Sequence, residues 1–185
     1  SFDMSGPVIT FVRDIVYFLG ILNSKPFQYY ASIANPTLHL QAKDVKGFPI
    51  LTIADKIKNK IRELEEQNIS LSKIDWHNFE ISSGYKFHPF VKQISQVSSV
   101  NLEDICSKWA IETAKSFKQL KANEEELNII LIDSYGLKDE LTSDVAEKDV
   151  TIRKLDLERD IRSFISYAVG CIFGRYSLDD DGLAY

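Results

Sequence analysis

The sequence has little of several features that mark whole classes of protein. Its two cysteines, Cys106 and Cys171, have no second cysteine or histidine at metal-ligand spacing, which excludes a disulfide framework or zinc site. Each lies in a helical apolar pattern, which indicates a reduced, buried thiol. The longest apolar run, residues 15–22, is far shorter than the roughly 20 residues that span a bilayer, and no signal peptide precedes it. We therefore expect no membrane association and a cytoplasmic location.

Catalytic motifs are also missing. The chain has no glycine-rich cofactor loop after a strand, no P-loop, no nucleophile elbow and no His-Glu helix motif. Residues 35–38, Asn-Pro-Thr-Leu, resemble the Asn-Pro-Pro-aromatic motif of DNA amino-methyltransferases, but Leu38 replaces the ring that stacks on a flipped base. We predict no catalytic residue, no cofactor-binding residue and no metal ligand in this chain.

Several polar groups have ordinary structural interpretations. His77 and His88 lack metal-ligand companions, so loop hydrogen bonding is expected. Residues 124–126, three glutamates after Asn123, predict the first turn of a helix, where the helix dipole favours carboxylates. Residues 179–181, three aspartates, indicate a solvated tail. The aromatic residues scattered over 69–100 predict a loop pinned to a helical core, with a base-stacking surface as the alternative.

The apolar periodicity predicts a mainly α fold, a helical module with a small β contribution near the N-terminus. The β signals are the β-branched run 8–12 and the alternating segment 38–40. Helices are expected from Asp14 to Leu22, after Ser24 with Pro26 in the first turn, and over 44–46, 52–68, 102–120, 123–136 and 155–173. Residues 69–100 are predicted to be irregular, and residues 138–154 a charged connector.

The helix over 52–68 has a narrow apolar stripe formed by Ile53, Ile57, Ile61 and Leu64. This pattern fits a coiled-coil-like seam against another helix and equally an amphipathic helix on its own core. Small residues at 166–171 would let another helix approach closely.

Charge is unevenly distributed along the chain. The net charge is −5. Residues 1–62 carry eight Lys or Arg against four Asp or Glu, a net +4, and residues 63–185 carry fourteen against twenty-three, a net −9. The basic front permits nucleic-acid contact there, although the chain as a whole is too acidic for a typical DNA-binding domain. Lys25, Gln41, Lys43 and Lys46 are the candidate DNA contacts, since lysine binds phosphate and glutamine pairs with adenine.

Three sequence blocks carry a family resemblance. They are Leu22–Ile50 (LNSKPFQYYASIANPTLHLQAKDVKGFPI), Leu120–Leu141 (LKANEEELNIILIDSYGLKDEL) and Asp149–Leu178 (DVTIRKLDLERDIRSFISYAVGCIFGRYSL), with a weaker fourth at Asp75–Pro89. They resemble the C-terminal half of the large adenine-specific DNA methyltransferases of phage-defence systems, the PglX proteins of the BREX type, related to fused type II restriction-modification enzymes. The chain also begins in mid-pattern and ends without a cap, which predicts a piece of a longer protein.

The resemblance implies that the longer protein methylates adenine N6 in double-stranded DNA with S-adenosylmethionine, through a catalytic core outside this chain. It implies that residues 1–50 end a target-recognition-like region and that residues 51–185 are a helical spacer or linking region, with one compact unit that includes 1–50 as the alternative. The expected function is non-catalytic target recognition or spacing. The alternative is a protein–protein interaction module that docks other defence-system proteins or a second copy, through the 53–64 stripe and the 166–171 face.

Overall fold

The computed structural model describes residues 13–35, 41–94 and 101–178, and these residues fold into helices joined by turns. The α-helices of this part of the chain are α1 Ile15–Leu22, α2 Lys25–Ala34, α3 Ala42–Gly47, α4 Asp55–His77, α5 Pro89–Ile94, α6 Leu102–Tyr135 and α7 Leu157–Ile172. A 3-10 turn, Glu147–Asp149, lies between α6 and α7. The predicted mainly helical fold is confirmed. Over the same residues, no helix has the length and apolarity needed to cross a membrane.

The β contribution predicted near the N-terminus is not supported. No β-strand occurs within 13–35, 41–94 and 101–178. The two segments that suggested strands, residues 8–12 and 38–40, lie outside the described residues.

The chain divides into two units. The first comprises Ser1–Asn68 and Lys121–Glu147, and the second comprises Ile69–Leu120 and Lys148–Tyr185. Helices α4 and α6 therefore contribute residues to both. The predicted functional division between residues 50 and 51 concerns roles rather than packing, and it stays a prediction.

Several helix boundaries predicted from local sequence are confirmed. Asp14 is the N-cap residue of α1, and Pro26 lies in the first turn of α2, where its missing N–H costs nothing. Gly136 follows α6 with a φ of +67°, a conformation that favours glycine. The N–H of Leu137 donates to the carbonyl oxygen of Ile132 at 3.0 Å, which closes the helix end.

Two predicted helix boundaries are wrong. The sequence predicts a break before Asn123, but α6 runs unbroken through it, so residues 124–126 lie inside a helix rather than at its start. Helix α4 does not end at Asn68 but continues to His77, and α5 occupies part of the region predicted to be irregular. In both cases no glycine or proline interrupts the helix, and the asparagine amide bonds to a neighbouring helix instead of the local backbone.

The first unit has a core of aromatic and aliphatic side chains from α1, α2, α4 and α6. Ile61 and Leu64, from the predicted stripe of α4, are fully buried there, while Ile57 stays partly exposed. The stripe therefore packs on its own core, which supports the amphipathic-helix interpretation over a free seam. The buried members of this core are Tyr17, Ile21, Phe27, Phe48, Ile61, Leu64, Leu127 and Leu131.

The second unit is built around aromatic residues. Phe90 is fully buried with Ile105 and Cys106, and a separate cluster joins Tyr85, Tyr167 and Tyr176. Tyr85, in a loop of the 69–100 region, packs against Tyr167 of α7 as expected of a loop pinned to a helical core, whereas Phe90 packs from within α5.

The small-residue face of α7 is in part occupied by the chain itself. A Cβ atom on Gly170 would lie 2.6 Å from the ring of Tyr176, so this position accepts only glycine without a shift of that ring. The close approach predicted for a separate helix is therefore made here by Tyr176.

Candidate nucleic-acid interface

Helix α3 begins with a reciprocal cap. The buried Asp44 carboxylate accepts hydrogen bonds from Asn35 Nδ2 at 2.7 Å and from the Gln41 N–H at 2.8 Å. The Gln41 side chain in turn accepts the backbone N–H of Asp44. These bonds, with that from Asn35 the largest effect, lower the pKa of the Asp44 carboxyl group. The start of this short helix is thus held by a charged acceptor.

The other end of α3 is held by aromatic packing. Phe48 follows the helix, is buried, and has its ring centroid 5.2 Å from those of Phe27, Tyr30 and Tyr135. The Tyr135 hydroxyl donates to the carbonyl oxygen of Pro49 at 2.9 Å. Because both ends of α3 are fixed, its exposed side is held at a defined position in the first unit.

Lys43 and Lys46 lie on that remaining side. They are three residues apart on one helix, so they share a face, and both are exposed. In the described part of the chain neither ammonium group has an ion-pair partner. Two unpaired lysines on a fixed helix are suited to contact with the phosphates of a nucleic acid.

The other two predicted contacts have structural partners. The Gln41 side-chain oxygen belongs to the α3 cap, which leaves its amide N–H groups for another acceptor. Lys25 begins α2, away from the α3 segment in sequence, and its ammonium group donates to the carbonyl oxygen of Asp144. The structure therefore groups Gln41, Lys43 and Lys46 in one segment, while the amine of Lys25 is held by a different part of the first unit.

Sequence reasoning missed the residue that fixes the start of α2. Asn128, buried on α6, accepts the backbone N–H of Lys25 at its Oδ1 atom over 2.9 Å. Ser24 is the N-cap residue, but its hydroxyl donates to the carbonyl oxygen of Ile21 instead of capping the helix. The two asparagine and lysine positions are 103 residues apart in the chain, so no local signal identifies this cap.

Two other cations of the basic front, Arg62 and Lys58, share one carboxylate. Arg62 Nε donates to Asp14 Oδ1 at 2.8 Å, with a second bond from the same guanidinium group, and Lys58 Nζ lies 3.1 Å from Asp14 Oδ2. The Arg62 bond is the main cause that lowers the pKa of Asp14 to about 2. These two side chains thus form close ion pairs with a carboxylate, whereas Lys43 acts on Asp44 only through its charge, as the smallest of the effects on that carboxyl group.

The histidines and cysteines of the described residues have other surroundings than a metal site. Over the described residues, no three His, Cys, Asp or Glu side chains are grouped so as to hold a metal ion. His88 accepts the N–H of Phe90 at Nδ1 over 3.2 Å, as expected of a loop histidine. Cys106 and Cys171 are free thiols, the first buried and the second half-buried.

The second unit contains a cavity that the sequence did not indicate. Its volume is about 240 Å³. It is lined by the end of α4 and the turn after it, the start of α5, the first half of α6, the segment before α7 and the first turns of α7. The lining includes Asp75, Asn78, Phe79, Trp109 and Arg153. Burial, the largest effect, raises the pKa of the Asp75 carboxyl group.

Comparison with known proteins gives two long relatives. The chain is 39% identical over 188 residues to "Adenine-specific methyltransferase PglX" of Lacticaseibacillus casei (strain Zhang), a match that covers 100% of the chain and 15% of the relative. It is 30% identical over 187 residues to "Adenine-specific methyltransferase BrxX" of Escherichia coli O9:H4 (strain HS), covering 90% of the chain and 14% of that relative. No protein-family model matches.

The chain therefore spans about one-seventh of the length of each of these relatives. The longer match includes all three blocks on which the family resemblance was based, because it extends over the whole chain. By sequence, the chain belongs with a segment of the PglX-type adenine-specific methyltransferases, as those blocks predicted.

Proposed function

We propose that this chain is a non-catalytic helical part of a site-specific adenine-N6 DNA methyltransferase in a phage-defence or restriction-modification system, and that it holds or reads duplex DNA through α3. The relationship to two adenine-specific methyltransferases supports the methyltransferase assignment. The observation that carries the DNA role is the pair Lys43 and Lys46, exposed and without ion-pair partners in the described residues.

In this proposal the polar residues of the α3 segment contact different parts of the DNA. Lys43 and Lys46 bind phosphate oxygens, which positions the protein on the duplex but carries no sequence information. Gln41, with free amide N–H groups at the N-terminus of α3, is placed to donate to the edge of a base. Lys25 adds positive charge from α2 while its amine remains bonded to Asp144.

Methyl transfer itself is assigned to other parts of the longer protein. S-Adenosylmethionine would bind there, together with the adenine to be methylated, because this chain has no motif for either. The role left for these helices is to place the DNA and to space the parts of the longer protein. Residues 1–50 would then close a target-recognition region and residues 51–185 would act as the spacer.

The test is binding to duplex DNA at low and moderate salt. The Lys43→Ala/Lys46→Ala double variant should bind more weakly, and its salt dependence, the slope of log K against log salt, should fall by about 2. Lys115→Ala/Lys118→Ala is the matched control, since these two lysines are also exposed and three residues apart on one helix. It removes the same charge from α6.

Equal losses of DNA affinity in the two double variants would mean that binding depends only on the net charge of the chain, and α3 would not be the interface. No binding by the unchanged chain at low salt would leave the spacer role alone.

One observation favours the alternative, a protein–protein interaction module. Helix α7 exposes Ile165, Val169 and Ile172, and Phe173 follows directly after it; the last two are 81% and 83% exposed. Such a face suits a second copy of the chain. Light scattering over a range of concentrations, with Ile172→Asp beside the unchanged chain, tests it: self-association abolished by the substitution would support this role, and a monomer at all concentrations would argue against a second copy.

A further inference from the structure

The two arginines that line the cavity of the second unit differ in whether a carboxylate is hydrogen-bonded to them. Arg159 Nε donates to Asp160 Oδ1 at 2.7 Å, and another of its nitrogens donates to the carbonyl oxygen of Lys154. This arginine and Asp160 thus neutralise each other. Arg153 differs, because among the described residues its guanidinium group makes no hydrogen bond or close ion pair. Burial, the largest effect, raises the pKa of the nearby Asp75 carboxyl group, and the charge of Arg153 acts in the opposite direction.

Arg153 is held by stacking instead. Its guanidinium carbon lies 3.8 Å from the centre of the Phe79 ring. A guanidinium group that stacks on a ring keeps its N–H donors in its own plane, where they point outward toward a ligand. Because an arginine always carries its charge, these donors are suited to a phosphate group, which they can bind through two parallel hydrogen bonds.

The rest of the lining is suited to a planar ring. Trp109 contributes aromatic surface on which a nucleobase can stack. The Phe79 ring is already covered by Arg153, and the Arg159 guanidinium carbon also lies 5.9 Å from its centre. The Asn78 amide offers both a donor and an acceptor, the combination that pairs with a base edge. The Asp75 carboxylate accepts the backbone N–H of Arg153 at 3.3 Å and has further lone pairs for a base amino group.

We propose that this cavity binds one nucleotide, with its base against Trp109, its edge on Asn78 and Asp75, and its phosphate on Arg153, which Phe79 holds by stacking. The nucleotide is either free or part of a single strand. A volume of about 240 Å³ accommodates a base, and the phosphate lies toward the exposed Arg153. This site lies in the second unit, and it does not depend on DNA contact by α3.

The test uses the full 185-residue chain with Trp76→Phe, since Trp76 is half-exposed and lies outside the lining, so that Trp109 is the sole tryptophan. Deoxynucleoside 5′-monophosphates are added and tryptophan emission is measured. We expect saturable quenching, with weaker binding of the nucleoside and of inorganic phosphate. A short single-stranded oligonucleotide in a second titration distinguishes a strand from a free nucleotide as the better ligand.

Substitution of Arg153 decides the assignment. Arg153→Ala should weaken nucleotide binding about tenfold, the usual loss for a hydrogen bond to a charged group. Arg153→Lys, which keeps the charge but not the planar group, should also weaken it. Arg162→Ala is the matched control, because Arg162 is an exposed arginine of the same unit that does not line the cavity.

Three results would overturn the proposal. One is the absence of saturable quenching at millimolar nucleotide. The second is an equal effect of Arg153→Ala and Arg162→Ala in variants whose circular dichroism matches that of the unchanged chain. The third is inorganic phosphate binding as tightly as a nucleotide, which would leave no role for the base.

Discussion

Asn123 on α6 donates its side-chain amide to Asn68 Oδ1 on α4 at 3.0 Å, with both residues buried. Asn68 donates in turn to Glu65 Oε2, and Asn23 donates to Glu65 Oε1 at 3.1 Å. Asn68 and Asn23 thus both donate to one buried carboxylate, and Asn123 is linked to it through Asn68. Burial, the largest effect, raises the pKa of Glu65, and the two hydrogen bonds act in the opposite direction. The direction of the bonds therefore requires an amide donor at position 123.

The first prediction concerns Asn123→Asp. If Asn123 capped a helix, aspartate would serve equally well. In the observed network the introduced aspartate would place a carboxylate acceptor against the Asn68 Oδ1 atom, so we expect the free energy of unfolding to fall by about 1–3 kcal/mol. Urea unfolding at pH 7 measures it. Lys118→Asp, an exposed change on the same helix, is the control, and equal stability of Asn123→Asp and the unchanged chain would contradict the network.

The second prediction concerns Gly20, in the middle of α1. Alanine is favoured over glycine in a helix by about 1 kcal/mol. A Cβ atom at Gly20, however, would lie 3.1 Å from Ile61 Cγ2, and Ile61 is fully buried. We expect Gly20→Ala to be destabilising by about 1 kcal/mol or more, because overpacking in a core outweighs helix propensity.

A double-mutant cycle tests this cause. In an Ile61→Ala background the contact is absent, so Gly20→Ala should become neutral or stabilising. The same loss in both backgrounds would show that the Ile61 contact is not responsible.

The third prediction concerns acid stability through Asp14. Its pKa is lowered to about 2 in the folded chain, mainly by the Arg62 hydrogen bond, against about 3.9 for an unfolded aspartate. The folded state thus binds this proton less readily, so the contribution to stability is present above about pH 4 and is lost as the pH falls toward 2. Unfolding measured from pH 5 to 2 should show a smaller loss in Asp14→Asn. Asp139→Asn, at an exposed carboxylate, should change this profile little.

The fourth prediction concerns His88. Burial, the largest effect, lowers its pKa to about 4, although the nearby Asp160 acts in the opposite direction. Its unfolded value is about 6.5. Protonation therefore favours the unfolded chain, and stability should fall as the pH falls from about 6.5 to 4.

Proton NMR of the His88 ring should show the neutral imidazole at pH 5.5. A ring that titrates near pH 6.5 would contradict the buried environment. His77→Gln, at an exposed histidine, helps to assign the signal without changing this behaviour.

The helix ends that the sequence predicted correctly depend on local chemistry. Pro26 and Gly136 act through the backbone within one turn, so their residue types are sufficient signals. Asp14 lies at the predicted start of α1, but its carboxylate bonds Arg62 instead of capping the helix. The same local rule failed at Asn123, because its partner Asn68 is 55 residues away. Buried amides that pair between helices have the sequence signature of a cap, and only the packed structure separates the two.

Prediction of the candidate site from the sequence is limited in the same way, by contacts between distant parts of the chain. Positive charge was enough to select Lys43 and Lys46, whose exposure the structure reports, but it did not reveal that Lys58 and Arg62 share Asp14. The cavity was missed because its central pair, Phe79 and Arg153, comes from distant parts of the chain. Scattered aromatic residues indicated a choice between loop packing and base stacking, and residue composition alone does not decide it.

The contact between Lys25 and Asp144 has a consequence for how the connector after α6 behaves toward proteases. The backbone around Asp144 is also bonded through Ser143 and Val145, to Asn128 at 3.4 Å and to Glu125 at 3.1 Å. A protease requires a stretch of chain released from such bonds. Although its composition is that of an exposed linker, this segment should be cut only after the first unit opens, and its cleavage rate would report the stability of that unit.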